Sequence, residues 1–150
     1  NTLAWAQKPP EISEFSFIDR QYMDSQRASL DDLARRHLGR QFRSSKSNDL
    51  ELLQLLLDRK LILPGQTREL QAMGVIMGDL LAQDLDMHWV IYEDKVGRSR
   101  ALRYRETENY LFPMTMISRR READNQTPVV DIYQKAYGLI DPIRDPLPFQ

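Results

Sequence analysis

The sequence predicts an α+β domain, with N-terminal helices and one C-terminal helix packed on a small antiparallel sheet of about three strands. Three observations carry this. Apolar residues recur at helical spacing over residues 16–85, the rhythm switches to alternation from Met87, and a helical pattern returns after Thr127-Pro128. A length of 150 residues suits one domain that buries its core without disulfides or metal. The plan is an extended leader over residues 1–15, a single domain over 16–140, and an extended Pro-rich tail over 141–150.

The leader contains Pro9-Pro10 and no periodicity. A first helical region spans Ser16 to Phe42, in one or two pieces. Ser29 with Asp32 three residues on resembles a capping box, and Leu30, Leu33, His37, Leu38 and Phe42 then share a face that should be buried. Arg35, Arg36, Arg40 and Arg43 occupy the opposite side, toward the C-terminal end that a helix dipole leaves negative. After a polar loop, Ser44 to Asn48, the pair Asn48 and Glu51 opens a Leu-rich helix from Leu50 to about Lys60. Pro64-Gly65 closes the apolar run that follows.

Thr67 is the expected N-cap of a third helix reaching about Leu85. Its apolar residues (Leu70, Met73, Val75, Ile76, Met77, Leu80, Leu81) cover too much of the circumference for a surface helix, so it belongs in the centre. Gly74 and Gly78 lie one turn apart on it. With no side chains there, a neighbouring strand or helix approaches closely.

His88 to Tyr92 reads as a strand, Asp94 to Arg98 as a tight turn around Gly97, and Arg100 to Arg105 as the returning strand of a hairpin. A third strand, Tyr110 to Met114, completes a meander. Met116 to Glu122 is a short helix or a loop. Val129 to Tyr137 is the last helix, with Pro128 suited to its start and Gly138 to its end. Trp89, Ile91, Leu80, Met77 and Phe112 are the expected core.

Composition removes whole classes of function. There is no cysteine, which excludes thiol nucleophiles, disulfides, zinc–thiolate sites and iron–sulfur clusters. A net charge of −1 provides no overall attraction to nucleic acid or to an anionic membrane. No apolar run approaches the ~20 residues of a membrane-spanning helix. Ala4-Trp5-Ala6 before Gln7 has the small-x-small character of an export cleavage site. Together with the polar leader and the missing cysteines, it leads to the expectation of an exported bacterial protein, periplasmic or secreted. The cytoplasm is the alternative location.

Charge is distributed unevenly. Lys95, Arg98, Arg100, Arg103, Arg105, Arg119, Arg120 and Arg121 oppose only Glu106 and Glu108, a net +6 against −7 for the rest of the chain. If these side chains share a face, their planar forks suit carboxylate or phosphate groups. The competing reading is a solvated face paired with the protein's own acids. No nucleic-acid module accompanies the arginines, so the expected partner is an acidic protein or an anionic ligand.

Two chemical alternatives stand beside the binding surface. Glu93-Asp94-Lys95, with Asp79 from the preceding helix, has the acid-x-Lys composition of metal-dependent phosphodiesterases: Asp79 and Glu93 would hold the metal and Lys95 assist the attacking water. The simpler view is a hairpin turn made of turn-forming residues. His88, Met114 and Met116 have the soft donors of a Cu(I) site, although Met also fills gaps in cores. A Ser–His–acid triad lacks an obvious base, since His37 and His88 are the only histidines. No phosphate-binding Gly-rich loop is present and no cofactor is expected.

From Leu70 to about Gly138 the chain resembles a bacterial domain family of unknown function. The residues that carry the resemblance are Leu70-Gln71-Ala72-Met73-Gly74 with Gly78-Asp79, Trp89-Val90-Ile91-Tyr92-Glu93-Asp94 with Gly97-Arg98, Phe112-Pro113 with Met116-Ile117-Ser118, and Val130-Asp131-Ile132-Tyr133. The resemblance implies an α+β fold and a bacterial source, with no catalytic residues to transfer. The reading as a whole is a non-enzymatic binding or accessory domain that meets its partner through the basic hairpin face or the edge of the sheet.

Overall fold

The computed structural model describes residues 8–145. The Ala4-Trp5-Ala6 segment and the last five residues of the expected tail lie outside them. A short strand β1 (Glu11–Ser13) leads into helices α1 (Phe17–Leu38), α2 (Lys46–Asp58) and α3 (Thr67–Leu85). Strands β2 (Met87–Glu93), β3 (Arg98–Tyr104) and β4 (Tyr110–Leu111) follow, then helices α4 (Met116–Glu122) and α5 (Val129–Ile140). Short 3-10 turns at Pro113–Thr115 and Asp141–Ile143 flank the last two helices.

The fold is α+β, with five helices on an antiparallel sheet of four strands in the order β1-β2-β3-β4. The fourth strand comes from the segment read as leader. Glu11 pairs with Glu93 and Ser13 with Ile91. Three residues are too few to show a period in the sequence, so only the partner strand reveals them.

Helix α1 is continuous, and it starts earlier than the Ser29–Asp32 pair suggests. Ser16 is the N-cap: its hydroxyl accepts from the Asp19 N–H while the Asp19 carboxylate accepts from the Ser16 N–H. Its buried residues are Asp19, Met23, Gln26, Leu30 and Ala34, and Leu33 and Leu38 pack partly on the core. His37, expected on the buried face, is exposed, because the face turned inward is one residue out of step with it. Gly39 ends the helix in the left-handed conformation, φ 63°.

Other boundaries also shift. Helix α2 starts at Lys46, before the Asn48–Glu51 pair, and Thr67 is the first residue of α3, with Gln66 at its cap. Helix α5 runs through Gly138 to Ile140, since one glycine costs a helix only about 1 kcal/mol and the buried Ile140 continues the apolar strip. The tail begins as a 3-10 turn rather than extended chain.

Helix α3 is central, as its broad apolar surface requires, with eleven of its residues buried. The glycines act as the spacing predicts. A Cβ at Gly74 would lie 2.5 and 2.6 Å from the carbonyl oxygens of Pro113 and Met114, and one at Gly78 would lie 2.6 Å from the Trp89 ring. The Pro113–Thr115 turn therefore rests directly on the helix backbone. That turn also cuts β4 to two residues, because Pro113 has no N–H to continue the ladder.

Met77, Leu80 and Ile91 are buried, and Trp89 packs against the core from its margin. Phe112 departs from expectation: it is 39% exposed, on the sheet face away from the helices. There its ring meets Tyr92 edge-on, and Tyr92 meets Tyr110 in the same way, at 5.2 and 5.0 Å between centroids. Among the described residues, no helix is long and apolar enough to cross a membrane.

Candidate functional site

Several of the residues that carry the family resemblance, Gly74, Gly78, Asp79, Trp89 and Pro113, meet where α3 crosses the start of β2. Gly78 leaves room for the Trp89 ring, and the next residue, Asp79, accepts the Trp89 indole N–H at 3.0 Å. Helix α1 completes the group. Arg27 donates to both Asp79 oxygens, at 2.7 and 2.8 Å, and to Asp24 at 2.9 Å. The bond to Asp79 raises the Arg27 guanidinium above its ordinary value.

Cavities open on both sides of this ion pair. One, about 380 Å³, lies between α1 and α3, with Phe42, Ile76 and Leu80 as its apolar wall and Asp24, Asp31, Asp49 and Asp79 around it. The carboxylates already have partners: Asp49 accepts the N–H groups of Arg43 and Ser44, and Asp31 accepts that of Phe42. The other, about 450 Å³, lies between α1 and the start of β2, lined by Phe15, Met23 and Trp89 with Arg20, Arg27, His88, Glu14 and Asp24.

The basic hairpin residues are divided by the pleat. Trp89 pairs with Leu102 and Ile91 with Arg100, which puts Arg98 and Arg100 on the sheet face that meets the helices. Both reach Asp19, at 3.0 and 2.9 Å, and Arg100 also lies over the Tyr22 ring. Asp19 is 2% exposed. Burial alone would raise its carboxyl, but the bonds from Arg98, from the backbone and hydroxyl of Ser16, and from Arg100 outweigh that and hold it well below the usual carboxylate range.

Arg103 points to the opposite face, where it meets Glu106 and Glu108 and lies over Tyr110. Arg105, past the end of β3, bridges Asp86 and Asp145. Each hairpin arginine thus meets the protein's own acids. Arg119, Arg120 and Arg121 sit on α4. Among the described residues they form no salt bridge, although Arg120 donates to the Met116 carbonyl at 2.7 Å. Lys95 occupies the exposed hairpin turn.

The residues of the two chemical alternatives do not converge. Asp79 meets the indole of Trp89, whereas Glu93 lies four residues along the strand, about 13 Å away at ~3.3 Å per residue. Asp79 is neutralised by Arg27, and Lys95 lies beyond Glu93 at the turn. His88, on β2, pairs with Arg103 and borders the cavity beside α1, Met114 belongs to the turn seated on Gly74, and Met116 packs on the core. Among the described residues, no group of three or more acids and histidines is arranged to hold a metal ion.

Several elements had no recognisable signal in the sequence. The Arg27–Asp79 contact spans 52 residues and the Arg98–Asp19 contact 79. Tyr133, buried in α5, donates to Asp84, which also meets Lys46 at 3.2 Å. Burial and then that bond push the Tyr133 hydroxyl far above its ordinary value. A groove of about 770 Å³ runs between α2 and α5, lined by Leu50, Gln54, Pro128, Val130 and Arg121.

Comparison with known proteins follows the same residues. The family described as Domain of unknown function (DUF3806) matches residues 49–133, over half of the chain. The chain belongs to this family. The DUF3806 match holds most of α2, all of α3, the hairpin and α4, and the first turn of α5, and therefore Gly74, Gly78, Asp79, Trp89 and Pro113. Helix α1, with Arg27 and Asp19, lies before it. A crystal structure of a protein from Bacteroides thetaiotaomicron matches with a TM-score of 0.76 and 20% identity, over 87% of this chain and 48% of that one. At that identity the likeness is one of fold, and this DUF3806 chain spans about half the length of its structural neighbour. No curated protein matches.

Proposed function

We propose that this protein is a non-enzymatic binding or accessory domain that meets an acidic partner or anionic ligand, with Arg119, Arg120 and Arg121 of α4 as its basic surface. One observation carries the reading. The four hairpin arginines meet internal carboxylates, whereas among the described residues the three arginines of α4 meet none. Their position in the last turn of α4 favours cations there. Arg119 is exposed and Arg121 half-buried, while Arg120 is half-buried and spends one donor on the Met116 carbonyl. The separation of Asp79, Glu93 and Lys95 supports binding over phosphodiester hydrolysis. Export to the periplasm or beyond belongs to the same proposal, and the absence of cysteine is compatible with it.

The test is fluorescence anisotropy with a labelled glutamate-rich peptide at low and raised salt. Wild-type protein binds and loses affinity as salt screens the contact. Arg119→Glu with Arg121→Glu weakens binding at least tenfold, and Arg103→Glu leaves it near wild type. Binding that ignores the α4 substitutions, or no binding at low salt, rejects this surface.

A further inference from the structure

Among the described residues, the sheet edge beside the cavity between α1 and β2 is unfinished. Asp94 and Gly97 exchange both backbone hydrogen bonds across the hairpin turn. Alternation from that pair directs the backbone groups of Tyr92, Val90 and His88 toward β3, and those of Glu93, Ile91, Trp89 and Met87 toward the opposite edge. Strand β1 takes up that edge only at Glu93 and Ile91, through Glu11 and Ser13. The chain then turns away through Glu14 to cap α1, and the ladder stops short of Trp89 and Met87. The edge already accepts an antiparallel strand over part of its length, so its geometry for pairing is established.

What lies next to the open part points to a ligand. Phe15, Met23 and Trp89 form an apolar wall, with Phe15 and Trp89 ring centroids 6.2 Å apart. Arg20, Asp24 and Arg27 recur at helical spacing on the face of α1 that lines the cavity, and Phe17 precedes them at the same spacing. Phe17, one helical turn before Arg20, is 68% exposed, a large apolar side chain left in water. Arg20 is exposed and, among the described residues, meets no carboxylate. Glu14 and Asp24 lie on the same cavity and disfavour a second acidic group.

We propose that the Met87–Trp89 edge of β2 is a strand-addition site for an extended peptide of a partner protein, apolar apart from one acidic side chain. The peptide backbone takes up the groups that β1 leaves unpaired. An apolar side chain covers Phe17 and enters the cavity over Phe15 and Trp89, and the acidic one meets Arg20. In this mode the backbone bonds supply affinity and the alternate side chains supply selectivity. The site is separate from the α4 arginines, so each stands or falls alone.

The probe is a short Val-Glu-Ile-Val peptide blocked at both ends, with amide hydrogen exchange and a binding titration as readouts. Binding is expected to be saturable, to slow exchange at the Trp89 amide, and to be lost when alternate peptide amides are N-methylated. Arg20→Glu, a change at an exposed position, weakens binding at least tenfold, and replacing the peptide Glu by Lys restores it. Three results would overturn the site: no binding, binding indifferent to N-methylation, or protection confined to another surface. Slow Trp89 exchange in the free protein that is abolished by truncation after Asp145 also overturns it, because the chain's own C-terminal residues then occupy the edge.

Discussion

The indole N–H of Trp89 reaches the carboxylate of Asp79 at 3.0 Å across the backbone of Gly78, whose missing side chain admits the ring. A residue of α3 is thereby joined to the start of β2. The same carboxylate accepts Arg27 from α1, so three elements meet at one side chain.

Replacing Gly74 by Ala is expected to destabilise the protein by roughly 1–3 kcal/mol, the usual cost of forcing atoms into a packed site. The new methyl would meet two carbonyl oxygens of the Pro113–Thr115 turn, which are backbone and cannot swing aside. Gly138→Ala is the control: nothing lies within 4 Å, the residue is helical, and stability should rise by up to about 1 kcal/mol. Urea denaturation measures both. Equal effects of the two changes would show that the close approach at Gly74 is not tight.

Asp19→Asn should cost about 2 kcal/mol at neutral pH, below the ~3–5 kcal/mol of a fully buried ion pair because Arg98 and Arg100 keep some access to water. Its folded carboxyl titrates below the ordinary value, so the unfolded chain takes up the proton first as pH falls. The contribution is complete above about pH 4 and drains away below it. Denaturation at pH 7 and in strong acid should therefore show the wild-type advantage shrinking. An advantage that persists undiminished assigns it to packing.

Gln26 is 1% exposed on the inner face of α1, and neither its amide nitrogen nor its oxygen has a partner. A buried amide without hydrogen bonds costs on the order of 1–3 kcal/mol. Gln26→Met keeps the length of the side chain and removes both polar atoms. Thermal and urea unfolding should show a more stable protein, and a loss of stability would reveal a partner such as bound water.

The Arg27–Asp79 pair is bidentate but about a third exposed on each side, so solvent screens it. A double-mutant cycle with Arg27→Met and Asp79→Asn is expected to yield a coupling of about 1 kcal/mol that falls with added salt. A coupling near zero would mean that Trp89 alone holds Asp79 in place.

Much of the architecture was readable because it is local. Leu70 to Leu85 is apolar on too many sides to lie at a surface, and the switch to alternation at Met87 places the hairpin within a residue or two. The division of the arginines was also encoded, since residues 98 and 100 share parity with the core residue Leu102 while 103 does not. Reading the segment as one basic face overlooked that alternation. No such signal marked β1, whose three residues become a strand only because β2 offers an edge, or the face of α1, where Met23, Gln26, Leu30 and Ala34 turn inward and His37 does not.

The sequence by itself determined the order of helices and strands and the need for close contact at Gly74 and Gly78, because periodicity and missing side chains act over one or two turns of chain. Only the tertiary structure decided which charges meet: Asp19 with Arg98 and Arg100, Asp79 with Arg27, and, among the described residues, none with the arginines of α4. Those pairings join residues up to 81 positions apart. An ion pair depends on distance in space, which no local pattern specifies until the helices have docked on the sheet.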